Sequence, residues 1–137
     1  MTKGPTLVIE VVKATNLQNK DLFSLSDPYV VIKISEGKQS EKTSVIDNCL
    51  NPEWSETFRF PVQSELISAQ KKMRPLVISF KVKDKDTLID QTLGSAELAM
   101  TPEEIIKCAE MHTYLLHLRG SSTSAVLEVK IRANEFY

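Results

Sequence analysis

The sequence predicts an all-β fold of eight short strands with one short helix in a connection. Three observations carry that expectation. Segments of alternating apolar and polar residues, rich in branched side chains, recur along the whole chain. Clusters of Asn, Asp, Ser, Gly and Pro separate them, where turns need those residues. The stretch opening at Thr101 carries a helix start. On pattern alone these features fit a β-sandwich or a barrel.

Taken in order, residues 6–13 form the first strand, with Leu7, Ile9 and Val11 on one face and Glu10 on the other. Residues 14–27 are a long loop of turn-forming residues interrupted by an apolar tip of Leu22, Phe23 and Leu25. Residues 28–35 are a second strand, and Glu36, Gly37 and Lys38 turn the chain into a third over 42–46. A second loop, 47–53, holds Asn48, Asn51 and Pro52. The strand after it, 54–62, anchors the core through Trp54 and Phe58. Residues 63–74 read as a polar insertion at the far end, followed by an apolar strand over 76–82. After an acidic loop come a strand at 93–98 and a helix over 101–111. Thr101 is the cap, Pro102 stands at the first turn, and Glu104 is three places past the cap. Residues 114–118 and 125–133, around the Gly120-Ser121-Ser122 turn, are the last two strands.

At 137 residues the chain makes one domain, large enough to bury a core without metal or disulfide staples, so a metal here is functional rather than structural. Its 17 basic and 18 acidic residues give a net charge of -1, which exerts no global pull toward nucleic acid. Cys49 and Cys108 have no zinc-like or disulfide-framework spacing, and a reducing compartment fits them best. With no apolar signal core and no apolar run near the roughly 18 residues of a membrane span, a soluble cytoplasmic chain is expected. A monomer is expected as well.

The stretch that the other elements serve is the loop after residue 82. Asp84, Asp86 and Asp90 fall within seven positions. In extended backbone Asp84 and Asp86 point the same way, and Asp90 returns after a bend. Such an arrangement suits a hard cation such as calcium, which takes six to eight oxygens at flexible angles. The bland alternative is solvated surface charge.

Four motifs in order then carry a resemblance to the C2 domain. They are residues 7–17 (LVIEVVKATNL), Asp21 with Ser26-Asp27-Pro28-Tyr29-Val30, Asn51-Pro52-Glu53-Trp54-Ser55-Glu56-Thr57-Phe58, and Asp84-Lys85-Asp86 followed by Leu93-Gly94. The resemblance covers nearly the whole chain. It implies an eight-stranded antiparallel sandwich in the second of two circularly permuted topologies, with loops at one end that bind calcium and lipid headgroups. Carried over residue by residue, it implies a ligand set of Asp21 and Asp27 from the first loop and Asp84, Asp86 and Asp90 from the third. Asn48 joins by similarity to the cytosolic phospholipase A2 branch, and the carbonyls of Lys20 and Lys85 add oxygens. In the synaptotagmin and protein kinase C pattern the last acid would fall on Gln91, so Asp90 departs from it.

Five aspartates would put the loop end at -5 and repel anionic lipid, and two calcium ions would bring it to about -1. The oxygens present fall short of saturating two ions, which leaves positions for water or lipid phosphate. One to two or more ions are expected. Leu22, Phe23 and Leu25 between the first acids, and Leu88 and Ile89 between the last, are expected to enter the membrane. A second lipid contact, to anionic headgroups, falls on Lys33, Lys38, Lys42, Lys81 and Lys83. The expected partner is therefore a phospholipid membrane, with peripheral association when calcium rises. A protein-interaction module is the alternative.

Catalysis is not expected. Asp84-Lys85-Asp86-Thr87-Leu88 also resembles the D-x-D-x-T motif of haloacid dehalogenase-like phosphatases with magnesium as cofactor. That fold, however, needs a parallel sheet with crossover helices and later basic and acidic partners.

Overall fold

The computed structural model describes residues 5–21, 23–35, 39–62 and 75–136. The Glu36-Gly37-Lys38 turn, the insertion expected over 63–74, Leu22 and Lys38 lie outside the described residues. The strands are β1 (Pro5–Thr15), β2 (Pro28–Ile34), β3 (Ser40–Lys42), β4 (Glu53–Pro61), β5 (Leu76–Asp84), β6 (Gln91–Met100), β7 (His112–His117) and β8 (Val126–Phe136). Among the described residues, one helix, α1 (Pro102–Lys107), lies between β6 and β7. One sheet runs β4-β1-β8-β7 and the other β3-β2-β5-β6. Every strand pair is antiparallel, as the β-sandwich expectation required and the parallel phosphatase fold would not allow.

Alternation decides what enters the space between the sheets. On β2, Val30, Ile32 and Ile34 are buried, and on β5 Leu76, Ile78, Phe80 and Val82 are buried. Leu7, Ile9 and Val11 of β1 and Leu127, Val129 and Ile131 of β8 complete the same core. Trp54 is part of it and Phe58 packs half-buried against it. Glycine is required at 94 because β6 passes close to Leu118: a Cβ there would meet the Leu118 Cβ at 2.9 Å.

Two expected boundaries are corrected. β3 spans 40–42 rather than 42–46. Beyond it the buried Thr43 hydroxyl accepts the Val30 N–H at 2.9 Å, so a side chain takes the donor that a strand would have paired. The helix stops at Lys107 rather than continuing to 111, although its Thr101–Glu104 capping box forms as read. Cys108 is buried, and its carbonyl accepts the Ala133 N–H of β8, so the chain leaves the helix to dock on that strand.

Candidate functional site

β5 carries the site because its alternation does not stop at the last apolar residue. Asp84 continues the inward row of Ile78, Phe80 and Val82 and is likewise 0% exposed. It pairs with Pro28 across the ladder, next to Asp27. The Asp27 N–H donates to Asp84 Oδ1 at 2.9 Å, and the Lys85 N–H donates back to the Asp27 carbonyl at 3.0 Å. The end of the sheet thereby fixes two acids from distant parts of the chain against each other.

The first loop supplies the third. Its shape is set by Ser26, fully buried, whose hydroxyl donates to the Gln18 carbonyl at 3.2 Å and accepts the Lys20 N–H at 3.4 Å. Asn19 Oδ1 accepts the Asp21 N–H at 3.1 Å. One carboxylate oxygen each of Asp21, Asp27 and Asp84 then lie within 4.8 Å of one another. Asn48 holds this arrangement from the second loop. Its N–H donates to Asp27 Oδ1 and its side-chain oxygen accepts the Leu25 N–H, both at 2.6 Å. It adopts φ 57°, a left-handed backbone that asparagine tolerates better than most residues.

The electrostatics of the cluster are unfavourable by themselves. Burial first, and then the neighbouring Asp21 and Asp27 carboxylates, push the Asp84 carboxyl up to about 6 against the opposing hydrogen bond from the Asp27 N–H. Asp84 Oδ2 is buried and has no hydrogen-bond partner among the described residues. Three hard oxygens in one place, with an orphaned buried acceptor on one of the same carboxylates, fit a hard divalent cation such as calcium.

The other sequence-derived ligands stand differently. Asp86 lies outside the three-carboxylate group, and its Oδ1 accepts the Leu88 N–H and the Thr87 hydroxyl, both at 3.3 Å. Asp90 accepts the Tyr29 hydroxyl at 2.5 Å on Oδ2 and the Asp86 N–H at 2.9 Å on Oδ1. These contacts hold its carboxyl below the usual carboxylate range, the Tyr29 bond first among them. The Lys20 ammonium donates to the Thr92 carbonyl at 3.0 Å, tying the first loop to the start of β6.

Apolar tips flank the acids. Phe23 is 97% exposed, Leu88 94% and Ile89 75%, while Leu25 at 38% is partly covered. On the outer face of the second sheet, Lys33, Lys81 and Lys83 line a cavity of about 290 Å³ together with Arg119, Ser79 and Ser95. Lys42 is not among its lining residues, although its β3 position opposite Val31 puts it on the same face.

Sequence reasoning missed the residues that hold the loops. Gln18 is buried, its amide nitrogen donating to the Leu93 and Gly120 carbonyls while its oxygen accepts from the Ser122 hydroxyl. No pattern in the sequence distinguishes it from a loop glutamine. Tyr29 was visible only as part of the Asp-Pro-Tyr motif.

The C2 domain family profile matches residues 5–116. The chain belongs to the C2 domain family. It is similar to an Arabidopsis thaliana "Calcium-dependent lipid-binding protein", 40% identical over 136 residues that make up 95% of this chain and 25% of that one. It is also similar to rice (Oryza sativa subsp. indica) "GTPase activating protein 1", 37% identical over 72% of this chain and 53% of that protein. This C2 chain thus spans between a quarter and about half the length of those relatives. Among solved structures, a C2 domain of plant Extended Synaptotagmin 1 superposes with a TM-score of 0.83 at 31% identity, covering 100% of this chain and 99% of that one. Human GIVD cytosolic phospholipase A2 shares the fold over 96% of this C2 chain and 16% of its own, with a TM-score of 0.77 at 21% identity.

Proposed function

We propose that this C2 domain is a calcium-dependent membrane-binding module, acting through the loop end of the sandwich and without catalysis of its own. The observation that carries the reading is the meeting of Asp21, Asp27 and the fully buried Asp84, whose Oδ2 has no protein partner among the described residues. When bound there, calcium would supply the charge that cancels these carboxylates and open positions for a lipid phosphate. Asn48 orients Asp27 through its backbone N–H, and Asp86, two residues past Asp84 in the same loop, would add a further ligand oxygen. The name of the Arabidopsis relative supports both the ion and the ligand class.

Membrane affinity then divides between two surfaces. Phe23, Leu88 and Ile89 project from the loops that carry the acids, so relief of their repulsion brings apolar side chains to the bilayer. Lys33, Lys81 and Lys83 line a cavity along the sheet, where Arg119 is paired with Glu97 at 3.6 Å, and the three lysines suit it to an anionic headgroup. Association of this kind is peripheral. Among the described residues no helix is long and apolar enough to cross a membrane.

Co-sedimentation with liposomes at physiological salt tests the reading, on phosphatidylcholine alone and on phosphatidylcholine with phosphatidylserine, in calcium and in chelator. Pelleting in calcium and release by chelator is the expected result. Capture by neutral vesicles would assign the main contact to the apolar tips, and capture only by anionic ones to phosphate and the lysines. Equal binding in calcium and chelator, or none in either, would overturn calcium dependence and favour a protein-interaction module.

A further inference from the structure

The acid that closes the third loop, Asp90, is engaged away from the Asp21, Asp27 and Asp84 group. Both Asp90 oxygens are occupied: Oδ2 by the Tyr29 hydroxyl, with the Lys85 ammonium 3.7 Å away, and Oδ1 by the Asp86 N–H. Tyr29 is buried on β2, its backbone paired with Lys83 of β5. Asp90 is therefore tied to the body of the sheet and not to the carboxylate group at its end. The tie from Asp90 back to the Asp86 N–H closes the bend 86–90, at whose tip Leu88 and Ile89 stand exposed.

We propose that Asp90 is a positioning residue and not an ion ligand: with Tyr29 it latches the bend 86–90 to the sheet and holds the Leu88–Ile89 tip outward before any ion binds. The inference deepens the membrane-binding reading and rests on it for its purpose, though not for its geometry. A latched bend has less backbone freedom to lose when its tip enters lipid, so the latch raises membrane affinity without adding a contact. It also removes one acid from the set available to a second ion. Charge at position 90 matters less than an acceptor there, since an amide oxygen can take the Asp86 N–H as a carboxylate does.

The first test is amide exchange of Asp86, followed by NMR in chelator. Asp90→Ala is expected to speed it about tenfold, Tyr29→Phe to speed it less, and Asp90→Asn to leave it near wild type. An Asp86 amide that exchanges equally fast in wild type and Asp90→Ala overturns the latch. Because chelator is present, this measurement stands whether or not the ion-binding reading survives. The second test is calorimetric titration of calcium alone into the same chains. Asp90→Asn is expected to keep the wild-type number of ions with affinity within about threefold. Loss of an ion, or a loss as large as that of Asp84→Asn, makes Asp90 a ligand and overturns the proposal. The two readouts converge on vesicles at saturating calcium, where Asp90→Ala should bind about tenfold more weakly with its ion count unchanged, and Asp90→Asn should restore binding. Wild-type vesicle affinity in Asp90→Ala would show that the bend needs no latch.

Discussion

The inward row of β5 contains two regions with the same burial and opposite chemistry. Ile78, Phe80 and Val82 are 0% exposed, and so is Asp84 two residues further on. The first three stabilise the sandwich by leaving water. The fourth brings a carboxylate into the same interior, beside Asp21 and Asp27, with one oxygen unpaired. A single alternation therefore builds both the core and the site, and the strain of the second is borne by the first. A protein selected for stability alone would place an apolar residue or an asparagine at 84. On the proposed reading, the acid at 84 is where the fold yields stability to binding.

Truncating the apolar part of that row should give the largest effect. Phe80→Ala removes a fully buried aromatic ring and is expected to cost about 3–5 kcal/mol in urea denaturation, with or without calcium. A loss under 1 kcal/mol would mean that the row is not the centre of the core.

Asp84→Asn, two steps along, should act in the opposite direction. Calcium binding is expected to fall at least a hundredfold by calorimetry, on the order of 3 kcal/mol, while stability in chelator rises at pH 7. The sign follows from the raised carboxyl. Asp84 titrates near 6 in the folded chain and near 3.8 unfolded, so between those values the native state holds more protons. Stability in chelator therefore falls as pH climbs from about 4 to about 6 and is flat above, as far as this group is concerned. Asp90 and Glu104, both lowered, contribute in the other direction, their stability being lost as pH falls below the ordinary values of 3.8 and 4.5. Asp84→Asn should abolish the fall between 4 and 6. A variant that kept it would move the strain to another group.

The contrast within β5 also explains how much of the molecule could be read from its residues. The strands were legible because alternation is a local property, and Asp84 was singled out because it follows an apolar run. The capping box at Thr101 was legible for the same reason, as Glu104 stands only three residues away. The end of α1 was not, because it depends on Cys108 meeting Ala133, a contact between distant parts of the chain. In the site, the convergence of Asp21, Asp27 and Asp84 came from the family resemblance and not from spacing. Asp90 stood apart in sequence by its spacing from Gly94, but the partner that engages its carboxylate, Tyr29 on β2, could not be read from the loop. Gln18 escaped likewise, since its partners Leu93 and Gly120 lie 75 and 102 residues away.

The tips sharpen the comparison from outside the core. Phe23 and Leu88 are apolar yet almost wholly exposed, so the solvent reference that makes Phe80 stabilising is absent for them until a membrane arrives. Phe23→Ala with Leu88→Ala should leave the urea midpoint unchanged and calcium affinity in solution intact. Vesicle affinity should drop about tenfold to a hundredfold, the range that partial burial of two such side chains supports. Unchanged affinity for vesicles would exclude insertion at both tips.

The smallest effect belongs to the basic cavity, the part of the surface farthest in character from the buried acids. Lys33 and Lys81 are exposed on the outer face of the second sheet, and neither takes part in holding the loops. Each lysine near an anionic surface contributes roughly 1 kcal/mol, so Lys33→Ala or Lys81→Ala should weaken binding to phosphatidylserine-containing vesicles about fivefold. Binding to neutral vesicles should not change. Screening acts on such exposed charges and hardly at all on a buried acid, so the difference between wild type and variant should shrink as salt is raised, while the defect of Asp84→Asn should not. If the lysine variants lose as much as Asp84→Asn, and lose it on neutral lipid too, the sheet face and not the loop end carries membrane binding, and the buried acid serves a purpose other than lipid capture.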